Sequence, residues 1–192
     1  MFHVPDTFDR APPADEDTVA SASAGISGGV PADLQEFYRS SNGAEGFVGD
    51  RYVRVYPITK LASLNLTARI HHFVPSITLF GSSGGGEAYV FAHSGGVRYL
   101  EVPFIPLTLK YAKDLAGSLE GLLDALGGPG WRSRPKRRID PKLIGHEIHE
   151  IQPVIFGGDP VDANNKDLVP TDTYMQLVAW WNDQYRNAAG KD

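Results

Sequence analysis

Cysteine is absent from this 192-residue chain. Disulfides, thiolate metal sites and cysteine nucleophiles are therefore excluded together. No run of about 18 apolar residues occurs, so no segment is expected to cross a membrane as a helix. The first residues, Met1-Phe2-His3-Val4-Pro5-Asp6, lack the charged start and apolar stretch of a signal peptide, which points to a cytoplasmic protein. Basic charge is in the minority, 18 Lys and Arg against 23 Asp and Glu, for a formal net charge of −5. That balance argues against a nucleic-acid binder, whose phosphate contacts need clustered cations. Glycine and proline are plentiful instead, at 21 and 14 residues, and favour turns and short elements over a helix bundle. The 42% apolar share suffices for a core, and the length suits one domain, alone or with a substantial appendage.

The chain divides into four parts. Residues 1–27 read as a flexible arm: Asp15-Glu16-Asp17 can start a short helix, but Gly25, Gly28 and Gly29 stop it. A core follows over 28–128. Leu34, Phe37 and Tyr38 share one helical face after Val30-Pro31, and Asn42-Gly43 ends that helix. Strands are expected over 51–57 and 77–80, a short helix or turn over 58–66, and a hairpin over 88–102 around Ser94-Gly95-Gly96. In the hairpin, Tyr89, Phe91 and His93 alternate with Ala88, Val90 and Ala92. Leu115, Leu119, Leu122, Leu123 and Leu126 predict an amphipathic helix stopped by Gly127-Gly128-Pro129. Residues 129–142 form a basic linker. The part from 143 to 192 begins with an alternating segment, His146 to Ile151, and ends in a helix from about Thr171 that carries Tyr174, Leu177, Val178, Trp181 and Tyr185. On that helix Trp180 and Trp181 lie 100° apart, so one anchors the core and the other reaches a rim.

Few residues form a chemical constellation. The segment Gly81-Ser82-Ser83-Gly84-Gly85-Gly86-Glu87 resembles a phosphate cradle only in its glycines. A P-loop closes on a lysine, whereas Glu87 stands here, and the next residues read as a strand where a dinucleotide fold requires a helix. His146-Glu147-Ile148-His149-Glu150 looks like a scrambled zinc-protease signature, but its histidines are three apart on an alternating segment and face opposite ways. A metal would need Glu147 with His149, or His146 with Glu150, plus ligands from elsewhere. Asp159, Asp162, Asn164 and Asp167 depart from a calcium loop at Val161 and suit turn chemistry better. Ser82, Ser83 and Ser94 lie outside any nucleophile elbow, and His71, His72 and His93 have no evident acidic partner. The run Arg132 to Arg138 holds five cations and no anion. It reads as a solvated loop, or as a contact with an acidic partner or the protein's own acidic surface.

The order of elements resembles the SUKH superfamily, the Smi/Knr cell-wall-assembly-like domain. The resemblance rests on Val30-Pro31-Ala32-Asp33-Leu34 through Ser41-Asn42-Gly43, then Tyr56-Pro57-Ile58 with Leu64-Asn65. It continues through Leu79-Phe80-Gly81 to Gly86-Glu87-Ala88-Tyr89, then Val102-Pro103-Phe104-Ile105 and Ser118-Leu119-Glu120-Gly121-Leu122-Leu123. It covers roughly 28–126, and the glycine-broken arm and the part after Gly145 depart from the minimal pattern. It implies an α+β fold, a curved antiparallel sheet with helices packed on it, here with a C-terminal strand-plus-helix extension. It implies no catalytic residue, cofactor or metal. Bacterial members are mostly immunity proteins of polymorphic toxin systems, which neutralise a cognate toxin, often a nuclease. The expected function is thus a non-catalytic cytoplasmic binder of a toxin protein, not of nucleic acid or membrane. Glu45, Asp50, Glu87 and Tyr89 are the expected contact residues. Alternatives are a regulatory scaffold of cell-wall synthesis and a metal-assisted hydrolase using His146 or His149 with Asp159.

Overall fold

A computed structural model describes residues 5–93 and 95–189. Ser94 of the expected hairpin turn, the first four residues of the arm and the last three of the extension lie outside the described residues. The fold is α+β. Seven strands run β1 Phe8–Arg10, β2 Ala44–Val48, β3 Arg51–Val55, β4 Ile77–Ser82, β5 Glu87–His93, β6 Val97–Pro103 and β7 Lys113–Ala116. They lie side by side in chain order, every neighbouring pair antiparallel. Six helices, α1 Glu16–Ala24, α2 Ala32–Ser40, α3 Ile58–Thr67, α4 Ile70–Phe73, α5 Leu119–Gly127 and α6 Thr171–Ala189, accompany the sheet. A separate hairpin pairs β8 His146–Glu150 with β9 Lys166–Pro170. No helix among the described residues is long and apolar enough to cross a membrane.

Local chemistry sets these boundaries. Asp15 accepts from the Thr18 N–H at 2.7 Å and Ser118 from Gly121 N–H at 3.1 Å, capping α1 and α5. Asn42 accepts from the Ile58 N–H at 2.9 Å, so the residue expected to end α2 also starts α3. In β4 every residue is buried, and a bulge between Leu79 and Gly81 shifts its register against β5. Asn65 of α3 serves this strand, donating to the Leu79 carbonyl at 2.8 Å and accepting from its N–H at 2.9 Å. Asp33 of α2 accepts from the Tyr99 hydroxyl and the Leu119 N–H, both at 2.6 Å, and joins α2 to β6 and α5.

Two expectations need correction. The arm is built into the fold: β1 extends the sheet beside β2, α1 packs on α3, and Phe8, Val19 and Ile26 are buried. Gly25 closes α1, and apolar burial at these three positions packs the segment against the core. Leu115 lies in β7, outside α5, because Ser118 caps the helix only from Leu119 onward.

Candidate functional site

The most concentrated polar chemistry sits where the C-terminal hairpin meets the main sheet. Arg54 of β3 points into this seam. Its Nη1 donates to Glu147 Oε1 at 2.8 Å and to the His146 carbonyl at 2.6 Å. Its Nε and Nη2 donate to Glu45 Oε2 at 2.9 and 2.8 Å, and Nη2 also reaches the Tyr52 hydroxyl at 2.9 Å. Tyr52 donates in turn to Glu45. Glu147 is fully enclosed and further accepts from the Tyr56 hydroxyl at 2.9 Å and the Ser82 hydroxyl at 3.0 Å. Burial pushes the Glu147 carboxyl up, while Arg54, Tyr56 and Ser82 pull it down. Arg54 is held charged, because the Glu147 and Glu45 carboxylates outweigh its desolvation. One guanidinium and two carboxylates thus form a closed cluster whose donors and acceptors are used on one another.

The glycine-rich bend completes the seam. The Ile148 N–H donates to the Gly84 carbonyl at 2.7 Å, so β8 hydrogen-bonds to the bend itself. Gly85 has φ 146°, and a Cβ there would run into the Ile148 carbonyl oxygen. Only glycine lets the two backbones approach this closely. The Gly86 N–H donates to the Tyr174 hydroxyl at 3.1 Å, which brings α6 to the same bend. Asn182 further ties α6 to the loop after β6, donating to the Phe104 carbonyl at 2.8 Å and accepting from the Leu107 N–H at 2.6 Å. The bend is a cradle for the chain's own C-terminal part.

Two hollows flank this seam. A cleft of about 510 Å3 has Val55, Tyr56, Leu64 and Ile144 among its walls, with Glu45 and Arg54 at one side. On that side the Arg54 guanidinium is paired with Glu45 through Oε2. A smaller hollow of about 250 Å3 lies between Gly84–Gly86 and His149, Glu150, Lys166 and Tyr174. His149 Nδ1 is buried there without a hydrogen-bond partner. Burial pushes the imidazole pKa down, against the pull of Asp167 and Glu150.

The four residues expected to contact a partner are not gathered on one surface. Glu45 is mostly buried under Arg54 and Tyr52. Asp50 is 85% exposed at its side chain and receives Arg134 at 3.1 Å and Arg137 at 3.5 Å. Glu87 is partly buried, and burial together with the nearby Glu101 raises its carboxyl pKa. Tyr89 is 0% exposed. It faces Glu101 across the β5–β6 pair and presents no surface to a partner, which corrects the expectation for that residue. The alternation that places Tyr89 opposite Ala88 does not reveal that both faces of β5 are covered.

The basic run lies against the protein's own acidic surface. Arg132 pairs with Asp124, Lys136 with Asp9 at 2.7 Å, and Arg134 and Arg137 with Asp50. The Arg137 guanidinium also covers the Phe47 ring at 4.0 Å. As for the proposed metal ligands, Glu147 is committed to Arg54, and His146 Nδ1 lies 2.8 Å from the Ile144 carbonyl oxygen. Asp159 and Asp162 accept from Val161 N–H and Asn164 N–H at 2.8 Å each, which is turn chemistry. Sequence reasoning misses Arg54, the hub of the seam; an arginine inside a run of strand-forming residues, Tyr52-Val53-Arg54-Val55, is the signal that could have marked it. Compared with protein families and with curated proteins, the chain matches none.

Proposed function

We propose that this chain is a non-catalytic, cytoplasmic protein-binding domain of SUKH type, an immunity protein that binds and neutralises a cognate toxin domain. What carries the reading is the order of elements. The landmarks behind the resemblance fall in turn on α2, the start of α3, the β4–bend–β5 segment, the end of β6 and α5. A second support is chemical. Glu147 and Glu101, the two fully buried carboxylates among the described residues, are engaged with cations, Glu147 with Arg54 and Glu101 with Lys113 at 2.9 Å and with Arg51. Groups held in this way stabilise the fold and are poor candidates for proton transfer to a substrate. The formal charge of −5 suits a basic target such as a nuclease, because opposite charge accelerates encounter.

The test is co-expression with the toxin domain encoded beside the gene. Protection of the host and a complex that survives gel filtration are the expected results. Unimpeded killing with no complex contradicts the reading.

A further inference from the structure

We infer that the loop over 151–165 and the adjoining edge of α6 form a docking face for a basic surface of a partner protein. This deepens the protein-binding reading and rests on it. The described residues include ten large apolar side chains that are exposed, and seven of them lie between 144 and 180. Ile151, Val154, Ile155 and Val161 belong to the single loop that joins β8 to β9, and Val161 is 86% exposed. Trp180 on α6 is 51% exposed. The loop and the helix are joined by aromatic contact: Phe156 packs on Trp181 at 4.8 Å, and Trp181 meets Trp180 edge-on at 4.6 Å.

The loop is held in shape, which favours recognition without a large ordering cost. Asn165 accepts from Gln152 N–H at 2.8 Å and donates to the Gln152 and Asp159 carbonyls at 2.9 and 3.1 Å. Apolar side chains presented together on a shaped loop mark an interaction site more often than a bare surface.

Charge selects the occupant. Asp159 and Asp162 flank Val161 in the loop and Asp167 follows on β9; all three are exposed and form no salt bridge among the described residues, while Lys166 is turned to Glu150 at 3.4 Å. An apolar centre with an unopposed acidic rim fits a protein surface with apolar anchors ringed by Lys and Arg. A second copy of this chain would bring the same carboxylates against one another.

The experiment is a display selection of fragments of the source genome on the intact protein. The sequenced winner is then measured by calorimetry and stopped flow against wild type, Trp180→Ala, Val161→Asp and the triple Asp159→Asn/Asp162→Asn/Asp167→Asn. The Asn replacements keep the oxygen acceptors of the turns, and Val161 is too exposed for its loss to unfold the protein. The expected winner is a fragment of positive net charge. Trp180→Ala and Val161→Asp each weaken it at least ~10-fold, and the triple variant slows association about 10-fold at low salt. A winner that binds all variants alike, or one of negative net charge, overturns the face while leaving the protein-binding reading intact. Wild-type dimers in sedimentation that Val161→Asp dissociates also overturn the basic partner. A selection that enriches nothing overturns both.

Discussion

Arg54 and Glu147 are 93 residues apart in the chain, yet Arg54 Nη1 and Glu147 Oε1 lie 2.8 Å apart with side chains 6% and 0% exposed. This ion pair joins the C-terminal hairpin to the main sheet. Removing Arg54 leaves the Glu147 carboxylate buried without its cation, which costs about 3–5 kcal/mol, whereas removing Glu147 leaves Arg54 still paired with Glu45. Arg54→Ala should cost more than Glu147→Gln, because it abandons both Glu45 and Glu147 while Gln keeps an acceptor for Tyr56 and Ser82. The double variant should lose less than the sum of the two. Urea unfolding of the three variants checks the order and the coupling.

The bend makes a second, independent prediction. Gly85→Ala drives a methyl group into the Ile148 carbonyl, whereas nothing lies within 4 Å of a Cβ at Gly86. Both positions have positive φ, so each substitution costs about 1–2 kcal/mol of backbone strain. Only Gly85→Ala should also displace β8. Limited proteolysis should cut the 129–142 region or the 151–165 loop faster in Gly85→Ala than in Gly86→Ala, at matched global stability.

His149 makes stability depend on pH. Burial lowers its pKa from the ordinary 6.5, so the folded state holds the proton less tightly than the unfolded state. Its contribution is fully present above pH 6.5 and is lost as pH falls from there toward the folded value. Asp167 and Glu150 oppose the shift, and Tyr174 packs on the ring edge at 6.0 Å. His149→Phe should flatten the fall in melting temperature between about pH 7 and about pH 5 relative to wild type. Equal slopes in the two proteins contradict this.

The contacts of the basic run are exposed, so their removal should be mild. Arg134→Ala and Asp50→Asn should each cost below ~1 kcal/mol. Arg137→Ala should cost somewhat more, since the guanidinium also covers Phe47. Thermal melts at low and high salt separate the two contributions, because screening removes the ion pairs and spares the ring contact.

Much of the fold is legible in the sequence where local signals are strong. The hairpin over Glu87–Pro103, α2 and the start of α6 at Thr171 follow from alternation, helical spacing and turn residues, while 58–66 reads equally as helix or turn and folds as α3. The elements that escape a sequence reading are short and depend on partners. β1 has three residues and exists because β2 offers an edge, and β7 borrows Leu115 from a helical pattern. The seam escapes for a related reason. Nothing near Arg54 in the chain announces that Glu147 will reach it, and the glycines that mark a bend do not name what fills it. The basic run shows the same limit, for its anions at Asp9, Asp50 and Asp124 are scattered along the chain.

The most direct measurement for a toxin-binding protein is a calorimetric titration of the intact chain with the toxin domain encoded beside its gene, at low and moderate salt. One-to-one binding at sub-micromolar affinity (roughly −8 kcal/mol or tighter) that weakens as salt rises is the expected result. Absence of any heat of binding, together with toxin activity that the protein does not reduce, would contradict it.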